Sequence, residues 1–124
     1  MTAMKGSVLV VDDDPAFRRL AYRILDTFGF AVVGEAGDAA AARSAAGTLR
    51  PDAMLVDVGL PDTDGIALAR ELTALPWRPR VVLTSSNAEA ATASEVRSSG
   101  AEAFVPKNEL PGAELGELLG PRSP

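Results

Sequence analysis

Short, nearly continuous apolar runs alternate along this chain with longer segments whose apolar residues recur every three or four positions. Five of the runs have β character: Ser7–Val11 (SVLVV), Ala31–Ala36 (AVVGEA), Ala53–Val58 (AMLVDV), Arg80–Thr84 (RVVLT) and Ala101–Pro106 (AEAFVP). Their starts are 24, 22, 27 and 21 residues apart, room for one helix and two loops each time. The first, third and fourth are apolar almost throughout, as in strands covered on both faces. The last is broken by Glu102 and ends in Pro106, which cannot donate to a ladder and so predicts an edge strand.

The segments between them read as helices. Phe17, Leu20, Ala21, Ile24 and Phe28 form one stripe, with Arg18, Arg19, Tyr22 and Arg23 on the other face. Asp14 is the predicted N-cap, Pro15 takes the first helical position and Gly29 ends the helix. An Ala-rich helix is expected over Asp38–Ala46, stopped by Gly47. Ile66, Leu68, Leu72 and Leu75 stripe a third, ended by Pro76. Ala88–Ser99 predicts a weak fourth with Val96 its one large apolar residue, and Leu110–Leu119 a short fifth interrupted by Gly112 and Gly116. Trp77, between Pro76 and Pro79, reads as a loop anchor. Alternating βα units give an α/β fold, a doubly wound parallel sheet with right-handed crossovers, whose smallest five-stranded version has order 2-1-3-4-5. Ligands then lie beyond the carboxyl ends of the strands, where strands 1 and 3 part company.

Length and charge narrow this further. The 124 residues amount to one domain, 1–124, with a core over about 7–119 and a tail, Gly120–Pro124 (GPRSP), of linker composition. There is no Cys, which excludes a disulfide scaffold or a zinc-thiolate site. There is no His, so no imidazole serves metal binding, acid–base chemistry or phosphoryl carriage. The net charge of −5 argues against nucleic acid as a partner. No apolar run approaches the ~20 residues of a membrane span, and Met1–Gly6 lacks a signal-peptide core, so a cytoplasmic protein without membrane contact is expected.

The carboxyl ends of the predicted strands carry the chemistry. Asp12, Asp13 and Asp14 follow strand 1; Asp57 and then Gly59 follow strand 3; Thr84, Ser85 and Ser86 close strand 4; Lys107 follows strand 5. On a 2-1-3-4-5 sheet these groups meet in one crevice. Clustered carboxylates repel unless a cation sits among them, and oxygen-only ligands suit Mg²⁺ or Mn²⁺. A Lys and a hydroxyl beside such a metal can bind the other oxygens of a phosphoryl group. The set reads as phosphoryl transfer onto a carboxylate. Asp14 reads as a cap only, and Asp62 and Asp64 as residues that shape a loop and cap helix 3. Lys107 is one of two lysines against ten arginines.

Asp12-Asp13 after VLVV, Asp57 in LVDVGLPDTDG, Thr84 in VVLTSS and Lys107 in FVPK resemble the CheY-like receiver domain of two-component response regulators. The resemblance runs over about residues 7–119. It implies a phosphoacceptor at Asp57, Mg²⁺ held by Asp12, Asp13, Asp57 and the Gly59 carbonyl, and phosphoryl contacts from Lys107 and Thr84. It also implies a switch in which Thr84 and Phe104 move together and repack the helix 4–strand 5–helix 5 face. The implied partners are a sensor histidine kinase or phosphotransfer protein and a downstream protein; catalysis would be confined to self-phosphorylation and autodephosphorylation. The family often has Pro, with a cis peptide, after its Lys. Here Asn108 follows Lys107 and Pro106 precedes it, and a cis bond before Asn108 would cost ~2.5–4 kcal/mol.

Other functions fit less well. An FMN binder of this fold needs a hydroxyl- and Gly-rich phosphate loop after strand 1, where three aspartates would repel the ligand. A phosphohydrolase with its nucleophile after strand 1 needs a DxD pattern followed by a hydroxyl residue, which Asp12-Asp13-Asp14-Pro15 lacks. A receiver-shaped scaffold that signals without phosphorylation stays open, as does a receiver severed from a NarL/LuxR-type DNA-binding regulator.

Overall fold

The computed structural model describes residues 5–121. Five strands, β1 (Ser7–Val11), β2 (Ala31–Ala36), β3 (Ala53–Asp57), β4 (Arg80–Ser85) and β5 (Ala103–Pro106), alternate with helices α1 (Pro15–Thr27), α2 (Ala39–Leu49), α3 (Gly65–Thr73), α4 (Ala93–Ser99) and α5 (Leu115–Leu119). The sheet has order β2-β1-β3-β4-β5 with every pairing parallel. β5 therefore lies at an edge, where Pro106 needs no partner for its missing N–H. All five residues of β3 are buried, as its central place requires. Two apolar layers flank the sheet. Leu9, Met54, Val56, Val81 and Leu83 pack against Ile66, Leu68 and Leu72 on one side, and Val8, Val10, Leu55 and Val82 against Phe17, Leu25, Leu115 and Leu119 on the other.

Most departures from the sequence pattern lie in the helices. The α1 stripe holds at Phe17 and Ala21, with Ile24 and Phe28 half-buried against the core, but Leu25 is buried as well and Leu20 is 49% exposed. Leu25 falls between the two predicted rows, and only the direction of approach to the sheet decides which row is covered. Asp14 and Pro15 start this helix as expected, the Asp14 carboxylate accepting from Ala16 N at 2.9 Å. α2 passes through Gly47 and ends at Leu49, with Arg50 as a left-handed cap at φ 45°. Pro51 disfavours a right-handed Arg50, which makes it the stronger stop signal. α4 starts at Ala93, not Ala88: Asn87 Oδ1 accepts from Glu89 N at 2.9 Å and bends that stretch into a turn, and Thr92 and Glu95 form a reciprocal capping box. α5 covers only Leu115–Leu119, because Lys107–Gly112, with Pro111 inside it, winds as a 3-10 helix. Leu110, Leu115 and Leu119 are nonetheless all in the core.

Smaller shifts occur at the strands. β3 ends at Asp57, β4 extends to Ser85, and β5 starts at Ala103, after Glu102 N has bonded to Val81 O at 2.8 Å. Trp77 is a loop anchor: its Nε1 donates to Pro51 O at 2.9 Å, and the Arg50 guanidinium stacks 4.5 Å from its ring. Every described peptide bond is trans, including the one before Asn108. Of the tail GPRSP, Arg122–Pro124 lie outside the described residues, as do Met1–Met4.

Candidate functional site

β1 ends where its chain must turn into α1, and that turn is built on Asp12. The residue is fully buried, its Oδ1 accepts from Asp14 N at 2.8 Å, and its carbonyl accepts from Arg18 Nη1 at 2.5 Å. Arg18 Nε in turn meets Glu35 at 2.8 Å, so a residue of the predicted solvent face instead ties the ends of β1 and β2 together. β3 ends in Asp57, which is 6% exposed and lies opposite Thr84 in the β3–β4 register. Asp13 is exposed beside them. Carboxylate oxygens of Asp12, Asp13 and Asp57 all lie within 4.8 Å of one another.

Lys107 comes off the end of β5 and brings its ammonium to this cluster, 2.7 Å from Asp12 Oδ2 and 3.8 Å from Asp57 Oδ2. The same Nζ stands 4.2 Å from the centroid of the Phe17 ring. Despite its short contact, Asp12 Oδ2 has no aligned hydrogen-bond donor. The partner of this buried oxygen is thus a single mobile ammonium. Burial raises the Asp57 pKa, the Gly59 N–H at 3.2 Å opposes that rise, the Asp12 charge adds to it, Lys107 opposes it, and Asp13 adds a little more. Three carboxylates crowded within 4.8 Å, with one ammonium among them, fit a hard divalent cation held by oxygen ligands.

The other predicted residues stand around this centre. Gly59 follows Asp57 by two positions and pairs in a bridge with Asp64. Thr84 is fully buried, and its hydroxyl donates to Val105 O at 2.7 Å on β5. Phe104 is half-buried away from the carboxylates and lines a groove of about 380 Å³ with Ala91, Ala93, Val96 and Arg97. Asp64 caps α3 through Ile66 N at 2.8 Å, as expected. Asp62 does not: it reaches across to the start of α2 and accepts from Ala39 N at 2.8 Å and Ala40 N at 3.1 Å. A larger cavity of about 430 Å³, lined by Lys5, Asp52, Trp77, Arg78 and Arg80 among others, lies at the amino ends of the strands, away from every predicted site residue.

Three contributions escaped the sequence pattern. Phe17 looks like core and is core, yet its ring also faces the ammonium. Arg18 looks like solvent face. Gly65 follows a helix cap, an ordinary place for Gly, but a Cβ there would stand 2.1 Å from Asp57 O, so any side chain would push on the residue at the centre of the site.

A sequence model of the family described as "Response regulator receiver domain" matches residues 8–117. The chain belongs to that family. Phosphorylation on an aspartate is typical of such receivers, which take signals from histidine kinases or phosphotransfer proteins and usually bind Mg²⁺ at an acidic pocket. The receiver is 35% identical over 114 residues to a Pseudomonas aeruginosa protein described as a transcriptional regulator, spanning 92% of this chain and 53% of that one. It is 35% identical over 106 residues to a protein-glutamate methylesterase/protein-glutamine glutaminase of Hahella chejuensis, spanning 84% of this chain and 30% of that one. The solved signal receiver domain of the response regulator NarL from Mycobacterium tuberculosis superposes with a TM-score of 0.78 at 34% identity, covering 91% of this chain and 95% of that one. The receiver thus spans about half or less of the length of the curated relatives it matches. Among the described residues no helix is long and apolar enough to cross a membrane.

Proposed function

We propose that this receiver accepts a phosphoryl group on Asp57 from a phosphohistidine of a sensor kinase or phosphotransfer protein. One observation carries the reading: the Lys107 ammonium and three carboxylates from β1 and β3 converge where the register sets Asp57 beside Thr84. An Asp57 oxygen forms the new bond to phosphorus, and the donor's N–P bond breaks with its electron pair returning to the imidazole. Lys107 sits close enough to Asp57 to take up an equatorial oxygen of the transferring group. Asp12, Asp13, Asp57 and the carbonyl of Gly59 would hold Mg²⁺ or Mn²⁺. Bound there, such an ion offsets the repulsion among the carboxylates and the charge on the phosphoryl oxygens.

The Thr84 hydroxyl supplies the switch. At rest it is held by Val105 O, so reaching a phosphoryl oxygen requires it to release β5. Val105 is next to Phe104, and the groove beside α4 gives that ring a place to leave or fill. Phosphorylation then shifts the population between two packings of the α4–β5–α5 face, which signals by contact with a downstream protein. This domain, one receiver over residues 1–124 with its core at about 7–119, acts as a non-enzymatic regulator in the cytoplasm and holds no nucleic acid itself.

Incubation with acetyl phosphate and Mg²⁺ followed by intact mass measurement tests this. One added phosphoryl group, lost in Asp57→Asn and without metal, is the expected result. An unchanged mass under all conditions, with beryllofluoride also leaving the spectra of Thr84 and Phe104 unmoved, would leave a receiver-shaped binding module.

A further inference from the structure

The Lys107 side chain ends among three groups of different kinds: the Asp12 carboxylate at 2.7 Å, the Asp57 carboxylate at 3.8 Å and the Phe17 ring, whose centroid lies 4.2 Å from Nζ. The lysine side chain is 17% exposed, and Phe17 is 7% exposed. An ammonium on a flexible four-carbon stem does not select one position by itself, since its charge is compact and its donors rotate freely. Coulomb attraction to the two carboxylates is equally undirected. A ring face is directional: its quadrupole attracts a cation over the face and not at the edge, and more strongly where water is excluded. Phe17 comes from the first turn of α1, which Asp14 and Pro15 fix in place, so the ring is anchored to the same turn that holds Asp12.

We propose that Phe17 is a positioning residue for Lys107, its ring holding the ammonium against Asp12 at the edge of the site and setting the short path along which it moves to a phosphoryl group on Asp57. This rests on the role given above to Lys107 and adds a residue that the sequence places only in the core. The ring closes the side of the ammonium that the carboxylates leave open. Without it, water or side-chain motion would take that space, and Lys107 would spend less time within reach of Asp57. Leu and Met fill much of the same volume but have no quadrupole, whereas Tyr keeps the ring.

Phe17→Met, Phe17→Leu and Phe17→Tyr would be compared with the parent by proton and nitrogen-15 NMR of the Lys107 side chain, without metal or phosphodonor. In the parent the ring current is expected to move the Lys107 ε-methylene protons upfield. That shift is expected to vanish in the Met and Leu variants and to persist in the Tyr variant. Initial rates of mass gain with acetyl phosphate and Mg²⁺ are expected to fall about 3- to 10-fold in Met and Leu, the range a partly desolvated cation–π contact supports, and to stay within about twofold in Tyr. A merely structural Phe17 would lower the melting temperature of the Met and Leu variants but leave their initial rates of mass gain, measured well below those temperatures, at the parent's. An unshifted Lys107 in the parent, or a shift lost without slower phosphoryl uptake, overturns the proposal. A parent that gains no mass at all defeats the phosphoacceptor reading instead, and the Lys107 resonances still decide whether the ring holds the ammonium.

Discussion

Asp57 accepts one hydrogen bond from Gly59 and faces Lys107, yet burial foremost, with Asp12 and Asp13 behind it, keeps its pKa above the ordinary value of 3.8. The folded state therefore binds this proton more tightly than the unfolded chain does. Ionisation of Asp57 takes stability away as pH rises from that ordinary value through the raised one. Asp57→Asn is accordingly expected to be more stable than the parent at neutral pH in the absence of metal, since the amide keeps the shape of the side chain without the buried charge. The gap should close in acid, where both side chains are neutral; urea titrations at the two pH values check it. Gly65 makes the opposite demand. Its missing Cβ leaves room for the Asp57 carbonyl, and because the obstructing atoms are backbone they cannot rotate away. Gly65→Ala is expected to destabilise by about 3 kcal/mol, measurable in the same titration. The place of Asp57 in the carboxylate cluster is legible from a carboxylate closing an apolar run, but the Gly65 requirement is not, because nothing local distinguishes a Gly that follows a cap from one that must be there.

Helices show the same division. α1 and α3 begin where Asp14 and Asp64 predict, because an N-cap needs only the backbone N–H groups two or three residues ahead. α2 also takes a cap from Asp62, on the far side of β3, and no local pattern reports that. Backbone donation from Ala39 foremost, outweighing desolvation, lowers the Asp62 pKa. Its contribution to stability is thus present above the ordinary carboxylate range and is lost as pH falls through the lowered pKa. Asp62→Ala is expected to melt below the parent at pH 7, with the difference shrinking in acid; melting curves across that range test it. α4 is weakly anchored, seven residues with a single large apolar anchor in Val96, itself only half-buried. Thr92→Ala removes one side of its capping box and should cost about 1 kcal/mol of local helix stability. Amide exchange over residues 87–100 should run ahead of β1 and β3 in the parent and faster still in this variant. Exchange as slow as in the central strands would contradict the view that α4 belongs to a movable face.

For the molecule as a whole, a shared cation would link the ends of β1 and β3 and so add to global stability. A ligand at tenfold its dissociation constant adds ~1.4 kcal/mol to unfolding free energy. Addition of Mg²⁺ is therefore expected to raise the melting temperature, chelation to reverse the rise, and Asp13→Asn to remove most of it; Asp13 is exposed, so that variant should keep the fold. A chain read without its coordinates already contains the βα alternation, the parallel sheet and the strand ends that carry Asp12, Asp57, Thr84 and Lys107. Period and hydrophobicity are local properties, and the handedness of the crossovers follows from them by a general rule, while the strand order is the one the resemblance to receivers implies. The row of α1 that is covered, the reach of Asp62 to α2, the Thr84 hydroxyl on Val105 O and the Phe17 ring over Lys107 are of another kind. Each joins segments far apart in the chain, and its direction depends on how closely the layers pack, which no run of neighbouring residues encodes.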